Sequence, residues 1–179
     1  MCIATIPYFK EIIIMAFFCE FCGFRNSEIK QGGGISEKAT RLVFSVKDVK
    51  DLNRDIYKSD TCVVAIPELE FAMAPGTLGS KYTTIEGLIE TVVTNLRDNN
   101  PFGQGDSATN IKYMEFLEKL EAYKNPDNNW KPFTLVLDDP LSNCFILNPN
   151  APEKDPNMEV TVYERTFEQN EELGINDMQ

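Results

Sequence analysis

The sequence predicts a mainly β domain with a helical hairpin inserted in it, preceded by part of a zinc ribbon. Three observations lead there. Short runs rich in β-branched and aromatic residues, separated by Pro, Gly and Asn, fill the stretches 40–73 and 133–163. Between them, two segments carry apolar residues at helical spacing. Ahead of both, Cys19-Glu20-Phe21-Cys22-Gly23 places two thiols to face one metal, with a glycine removing the Cβ that would crowd the amides curling toward sulfur.

The run from Ile12 to Phe18 follows Lys10-Glu11 and is too short to span a bilayer or act as a signal core. Rich in isoleucine and bounded by Pro7 and Gly23, it reads as a buried strand leading into the cysteine knuckle. A cytosolic or nuclear protein follows. Gln31-Gly32-Gly33-Gly34 is a flexible connector, so the expected units are residues 1–30 and 31–179. Thr40 to Val46 reads as a strand, Asp48 to Asp60 as a turn with an extended segment, and Thr61 to Ile66 as a strand ended by Pro67. Glu68 to Met73 alternates polar and apolar as a half-exposed strand should.

Thr83-Thr84-Ile85-Glu86 has the spacing of a capping box. Ile85, Leu88, Ile89, Val92, Val93 and Leu96 then share one helical face, and Asn99-Asn100-Pro101 stops the helix. A second helix starts after Ser107 or Thr109, with Ile111, Met114, Leu117 and Leu120 at helical spacing, and ends at Asn125-Pro126. The hairpin thus occupies about residues 84–125, its stripes buried against each other and the sheet or serving as a partner's groove. Phe133 to Leu137, Cys144 to Leu147 and Val160 to Tyr163 return to short β-like runs. The acidic stretch from Glu168 to Gln179 is an interaction tail or a strap, and docking of Arg165 and Phe167 distinguishes the two.

Composition narrows the chemistry. The chain has 179 residues and 42% apolar content, enough to close one core. Five irregularly spaced cysteines argue against a disulfide scaffold and for a reducing compartment, with Cys62 and Cys144 read as buried apolar residues. A formal charge of -11 disfavours a nucleic-acid-binding ribbon, whose affinity rests on phosphate contacts, and steers the protein toward basic faces of other proteins. There is no histidine, which removes the serine and cysteine triads and makes a metal-dependent enzyme in a β-helix barrel a poor reading. Asp138-Asp139 before Pro140 reads as a turn rather than a catalytic dyad. Gly103-Gln104-Gly105-Asp106-Ser107 lacks the lysine of a phosphate loop and reads as a capped loop at the hairpin tip.

The metal reading is incomplete. A closed zinc site takes four protein ligands, and a second Cys-x-x-Cys pair is missing, with Cys2, Cys62 and Cys144 each alone. Either the chain starts inside the finger or the site is incomplete. Two thiolates give a weak, exchangeable site, closed by pairing knuckles from two chains; otherwise the knuckle is loose, or oxidised between Cys19 and Cys22.

Many ordered blocks resemble the ZPR-type zinc-finger proteins of eukaryotes. They include Ile6-Pro7-Tyr8-Phe9-Lys10-Glu11 with Cys19-x-x-Cys22-Gly23, Ile66-Pro67-Glu68-Leu69-Glu70, and Tyr82-Thr83-Thr84-Ile85-Glu86-Gly87-Leu88. Asn100-Pro101-Phe102-x-x-Gly105-Asp106-Ser107, Leu137-Asp138-Asp139-Pro140 and Tyr163-x-Arg165-Thr166-Phe167-Glu168-Gln169-Asn170 continue the likeness. Full-length members resemble two tandem copies of a finger and a β domain, and this chain is most similar to the second. The resemblance implies a double-stranded β-helix, jelly-roll-like, and a finger whose first Cys-x-x-Cys lies upstream of Met1, with Cys2 at a non-ligand position. It implies structural zinc on Cys19 and Cys22, and a chaperone or adaptor rather than an enzyme. The implied partners are translation elongation factor one-alpha, receptor tyrosine kinase cytoplasmic regions and survival-of-motor-neuron complexes, in cytoplasm and nucleus. The finger and the hairpin are expected to touch the client, the latter through Tyr82, Thr83, Glu86, Phe102, Gly105, Asp106 and Ser107.

Overall fold

An antiparallel meander begins the chain: β1 (Cys2–Thr5), β2 (Glu11–Phe18) and β3 (Arg25–Gln31), with Ile14 opposite both Cys2 and Ile29. The computed structural model describes residues 1–7, 9–99, 107–125 and 130–178. The isoleucines of β2 suit a pleated strand, but only its base is covered. Ile12 is 3% exposed, whereas Phe17 and Phe18 are 60% and 53% exposed, which corrects the expectation of a buried strand. The reason is reach. The rest of the chain contacts the meander at Ile6 and Ile12, where Tyr57 inserts and Phe9, Ile14, Ile29 and Phe145 pack around it.

The β domain is built from β4 (Ala39–Val46), β5 (Asp55–Lys58), β6 (Val63–Ile66), β7 (Phe71–Met73), β8 (Lys81–Thr84), β9 (Phe133–Asp139), β10 (Phe145–Ile146) and β11 (Met158–Tyr163). They form a five-stranded sheet in the order β11-β4-β9-β6-β7 and a three-stranded sheet in the order β10-β5-β8. Leu42, Phe44, Val46, Val64, Ile66, Leu135 and Leu137 from the larger sheet share one core with Ile56 and Ile146 from the smaller. The expected strand over Glu68 to Met73 is shorter. Pro67 cannot donate to a ladder, so Pro67–Leu69 form a 3-10 turn, Glu70 takes φ 52°, and the strand starts at Phe71.

Two helices follow β8. In α1 (Ile85–Asp98), Ile85, Leu88, Ile89, Val92 and Val93 are buried in the domain core. Its cap sits one residue later than the expected box: the Thr84 hydroxyl accepts from the Gly87 amide at 3.1 Å, and Glu86 falls in the first turn, where its charge favours the helix dipole. Gly87 is there for space, since a Cβ would lie 2.3 Å from the Thr83 hydroxyl. In α2 (Ser107–Lys124), Leu117 and Leu120 are buried but Ile111 and Met114 are exposed. Steps of three residues rotate by about -60° each, so three steps carry Ile111 to the face opposite Leu120. The helices are antiparallel, with Tyr113 Oη donating to Leu96 O at 2.6 Å and Lys124 paired with Glu90.

Asp139, the last residue of β9, is fully buried. Its carboxylate accepts from Ser59 Oγ at 2.6 Å, Thr61 Oγ1 at 2.7 Å and the amides of Leu141 and Asn143 at 2.9 Å. It organises the turn that follows instead of pairing with Asp138, which binds Tyr163 Oη at 2.6 Å. Nearby, buried Lys58 donates to Ser59 O, Thr77 O and Gly79 O. Burial pulls its pKa below that of free lysine. The tail gives a divided answer. Arg165 docks, donating to Ser36 O, Pro140 O and Asn170 Oδ1, while Phe167, which opens α3 (Phe167–Glu172), is 70% exposed.

Two predictions follow from these contacts. Asp139→Ala strands two amides and two hydroxyls, and urea denaturation should show a loss of about 3 kcal/mol. A loss below about 1 kcal/mol would remove this carboxylate from its organising place. Gly87→Ala should destabilise through its clash with Thr83, whereas Gly87→Ala combined with Thr83→Ala should recover stability and gain up to about 1 kcal/mol from helix propensity. A double variant no better than Gly87→Ala alone would show that the clash is not the cause.

Candidate functional site

The knuckle joins β2 to β3. Cys19 N donates to Phe24 O at 2.8 Å and Gly23 N to Cys19 O at 2.9 Å, closing a turn whose last residue needs φ +72°, the left-handed region that glycine enters freely. The amides of Cys22 and Phe21, followed by the Cys22 thiol, point at the Cys19 sulfur and hold its pKa below that of free cysteine. A thiol pKa drawn downward, Cys-x-x-Cys spacing and sulfur-facing amides suit half of a closed zinc site. The fit stops there, because no group of three or more Cys, Asp or Glu able to hold a metal occurs among the described residues. Cys2 is exposed on β1, while Cys62 and Cys144 are buried in the β domain as expected.

Around the thiols the surface is aromatic. Phe21, between the two cysteines, is fully exposed, and Phe17, Phe18 and Phe24 are each more than half exposed. Arg25 lies 5.0 Å from the Phe18 ring centroid, a cation over an aromatic face. Sequence reading missed this patch, because phenylalanines at the end of an apolar strand look like core. The available signal was Phe21 itself, in a tight Cys-x-x-Cys turn that has no interior to bury it.

The meander stands on the outer face of the three-stranded sheet. Tyr57 pairs in register with Phe145 on one side and Tyr82 on the other, so the three side chains share that face. Phe9 packs on Phe145 with ring centroids 4.9 Å apart, and Tyr57 Oη reaches Ile29 O at 3.4 Å. Lys10 Nζ donates to Ser142 O at 2.9 Å and Asn143 Oδ1 at 3.2 Å. Tyr82 therefore lies beside the finger base, 40% exposed, its hydroxyl 3.3 Å from Asp55 Oδ2. Thr83, opposite Ile56, turns toward the interior, and Glu86 is exposed on the first turn of α1. Phe102, Gly105 and Asp106 lie outside the described residues, and Ser107 begins α2. On that helix the exposed Ile111 and Met114 add an apolar surface.

Comparison with known proteins gives this geometry its context. The family model of the ZPR1 zinc-finger domain matches residues 1–37, and that of the ZPR1 jelly-roll domain matches residues 50–175. The human zinc finger protein ZPR1 is 45% identical over 181 residues, covering 99% of this chain and 39% of the human protein. The zinc finger chaperone zpr1 of Schizosaccharomyces pombe has the same identity and coverage. A ZPR1-like protein of Methanocaldococcus jannaschii is 26% identical over 150 residues, covering 83% of this chain and 73% of its own length. The chain thus spans 39% of the length of the eukaryotic relatives. With a cysteine knuckle on a two-sheet β domain and both family models matched in order, the chain belongs to the ZPR1 zinc-finger protein family.

Proposed function

We propose that this chain is a non-catalytic, chaperone-like client-binding module whose client is translation elongation factor one-alpha. The observation that carries the reading is the bare aromatic tip of the finger, four phenylalanines held out on a sheet whose base is anchored to the β domain. Apolar surface presented in this way suits exposed chain in an incompletely folded partner. The name of the fission yeast relative supports a chaperone role. Ile111 and Met114 on α2, with Tyr82 and Glu86 near the start of α1, would supply a second contact. In this reading receptor tyrosine kinase regions and survival-of-motor-neuron complexes are further partners, and the protein works in cytoplasm and nucleus. The complete lack of histidine supports a module without general acid–base chemistry of the commonest kind.

Zinc, in this proposal, is structural. Cys19 and Cys22 would hold it and the metal would stiffen the turn that carries Phe21, with two further thiolates coming from another polypeptide segment or a second knuckle.

Phe21→Ser with Phe24→Ser should reduce capture of elongation factor one-alpha during its synthesis by tenfold or more, roughly the effect of losing two aromatic anchors, with the melting temperature unchanged. Undiminished capture would overturn the tip as the client surface. For the metal, elemental analysis combined with sedimentation should find at most about one zinc per two copies of this chain, and a dimer only when zinc is present. One zinc per monomer would overturn the two-donor reading.

A further inference from the structure

The inner face of the larger sheet is not covered to its end. Cross-strand pairing places Met158 opposite Phe44, Val160 opposite Leu42 and Val162 opposite Thr40, so these side chains share the face that elsewhere forms the core. Yet Val160 is 53% exposed and Val162 59% exposed. The three-stranded sheet stops at β10, and beyond it lies a cavity of about 430 Å³, lined by Pro7, Phe9, Leu42, Cys144, Pro152 and Val160 among others. Its hydroxyls are used internally: Thr40 Oγ1 donates to Ser142 Oγ at 2.8 Å, which donates to Lys38 O at 2.6 Å. Asn148, which also lines it, is engaged too, its Nδ2 donating to Glu153 O and its Oδ1 accepting from Asn150 N, so the side-chain surface that the cavity offers is mainly apolar. Beside it, β11 is the terminal strand of its sheet, with no strand paired on its outer side among the described residues.

An unpaired strand edge next to an apolar cavity has the two parts of a strand-addition site, main-chain pairing for affinity and alternate side-chain pockets for selectivity. Charge indicates the partner. At this end of the sheet Lys38 is paired with Glu164 and Arg41 with Asp138, which leaves the exposed Glu159 of β11 without an ion-pair partner among the described residues, in a chain of formal charge -11. We propose that the β11 edge and this cavity bind an extended segment of a partner protein by strand addition, with aliphatic side chains at alternate positions and lysine or arginine between them. The site is separate from the finger tip and does not rest on the client proposed above.

The probe is a fluorescently labelled peptide, acetyl-Lys-Val-Lys-Val-Lys-Val-Lys-amide, titrated into the 179-residue chain and read by anisotropy, with hydrogen exchange of residues 158–163 measured alongside. Saturable binding is expected, with slower exchange in that strand. Val160→Ser with Val162→Ser, both more than half exposed, should weaken binding about tenfold at unchanged melting temperature. Glu159→Lys should weaken it and flatten its salt dependence. The same peptide N-methylated at every residue, so that neither edge can donate to β11, should fail to bind. Absence of saturable binding, indifference to the serine changes, or equal binding of the N-methylated peptide would each overturn the proposal. Sedimentation showing a dimer of this chain that Val162→Ser dissolves would also overturn it, in favour of a second copy on the edge.

Discussion

Polar anchors of both the finger and the tail converge on a turn that one buried carboxylate organises. Taking Asp139 out of water is costly, and four donors from two places offset the cost: the β5–β6 turn through Ser59 and Thr61, and the chain beyond Pro140 through the amides of Leu141 and Asn143. Satisfying that carboxylate fixes the path of residues 140–143. Those residues are the anchor points for elements distant in sequence, since Lys10 of the finger donates to Ser142 O and Asn143 Oδ1 and Arg165 of the tail donates to Pro140 O. Thr40 of β4 joins the same turn through Ser142 Oγ. A local polar requirement at one strand end thus sets where the finger stands and where the tail lies.

The finger in turn is divided by the limits of that anchoring. Its base shares a small core with Tyr57 and Phe145, while the phenylalanines of its tip are exposed. A three-stranded sheet of this size cannot bury both its faces by itself, so its distal apolar side chains are exposed unless another molecule covers them. Rigid seating below and bare phenylalanines above are complementary, because an anchored sheet loses less conformational freedom on binding than a loose loop would. The same division occurs in the helical hairpin, where Leu117 and Leu120 hold α2 to the domain and Ile111 and Met114 are exposed toward its start.

Much of this was legible in the residues, and the failures have physical reasons. Strands β4, β6 and β9 were readable because burial on the core face writes an apolar pattern over several consecutive residues. Helix α1 was readable because its apolar positions alternate steps of three and four, which keeps them on one face, whereas the constant step of three on α2 does not. Strands β1, β3 and β8 escaped notice, since two of them are polar and all are fixed by pairing with a partner strand rather than by their own composition. Asp139 was read as a turn former from its neighbour Pro140, which was right about the turn and silent about the burial. At the site, the spacing of Cys19 and Cys22 announced the knuckle, but the exposure of Phe17 and Phe18 depends on what the finger does not touch, and no local pattern encodes that.

Exposed apolar surface and high negative charge are compatible for a reason that bears on function. Bare phenylalanine and valine patches favour self-association, and a formal charge of -11 opposes it by mutual repulsion between copies. Under the function proposed above, the same charge would not repel a basic partner, so it would separate self-contact from client contact without covering the sticky surface. Selectivity in such a molecule need not come from a shaped pocket at the finger tip. It can come from adding a weak, general apolar attraction to a long-range electrostatic preference, an arrangement suited to partners recognised before their own folded surfaces have formed.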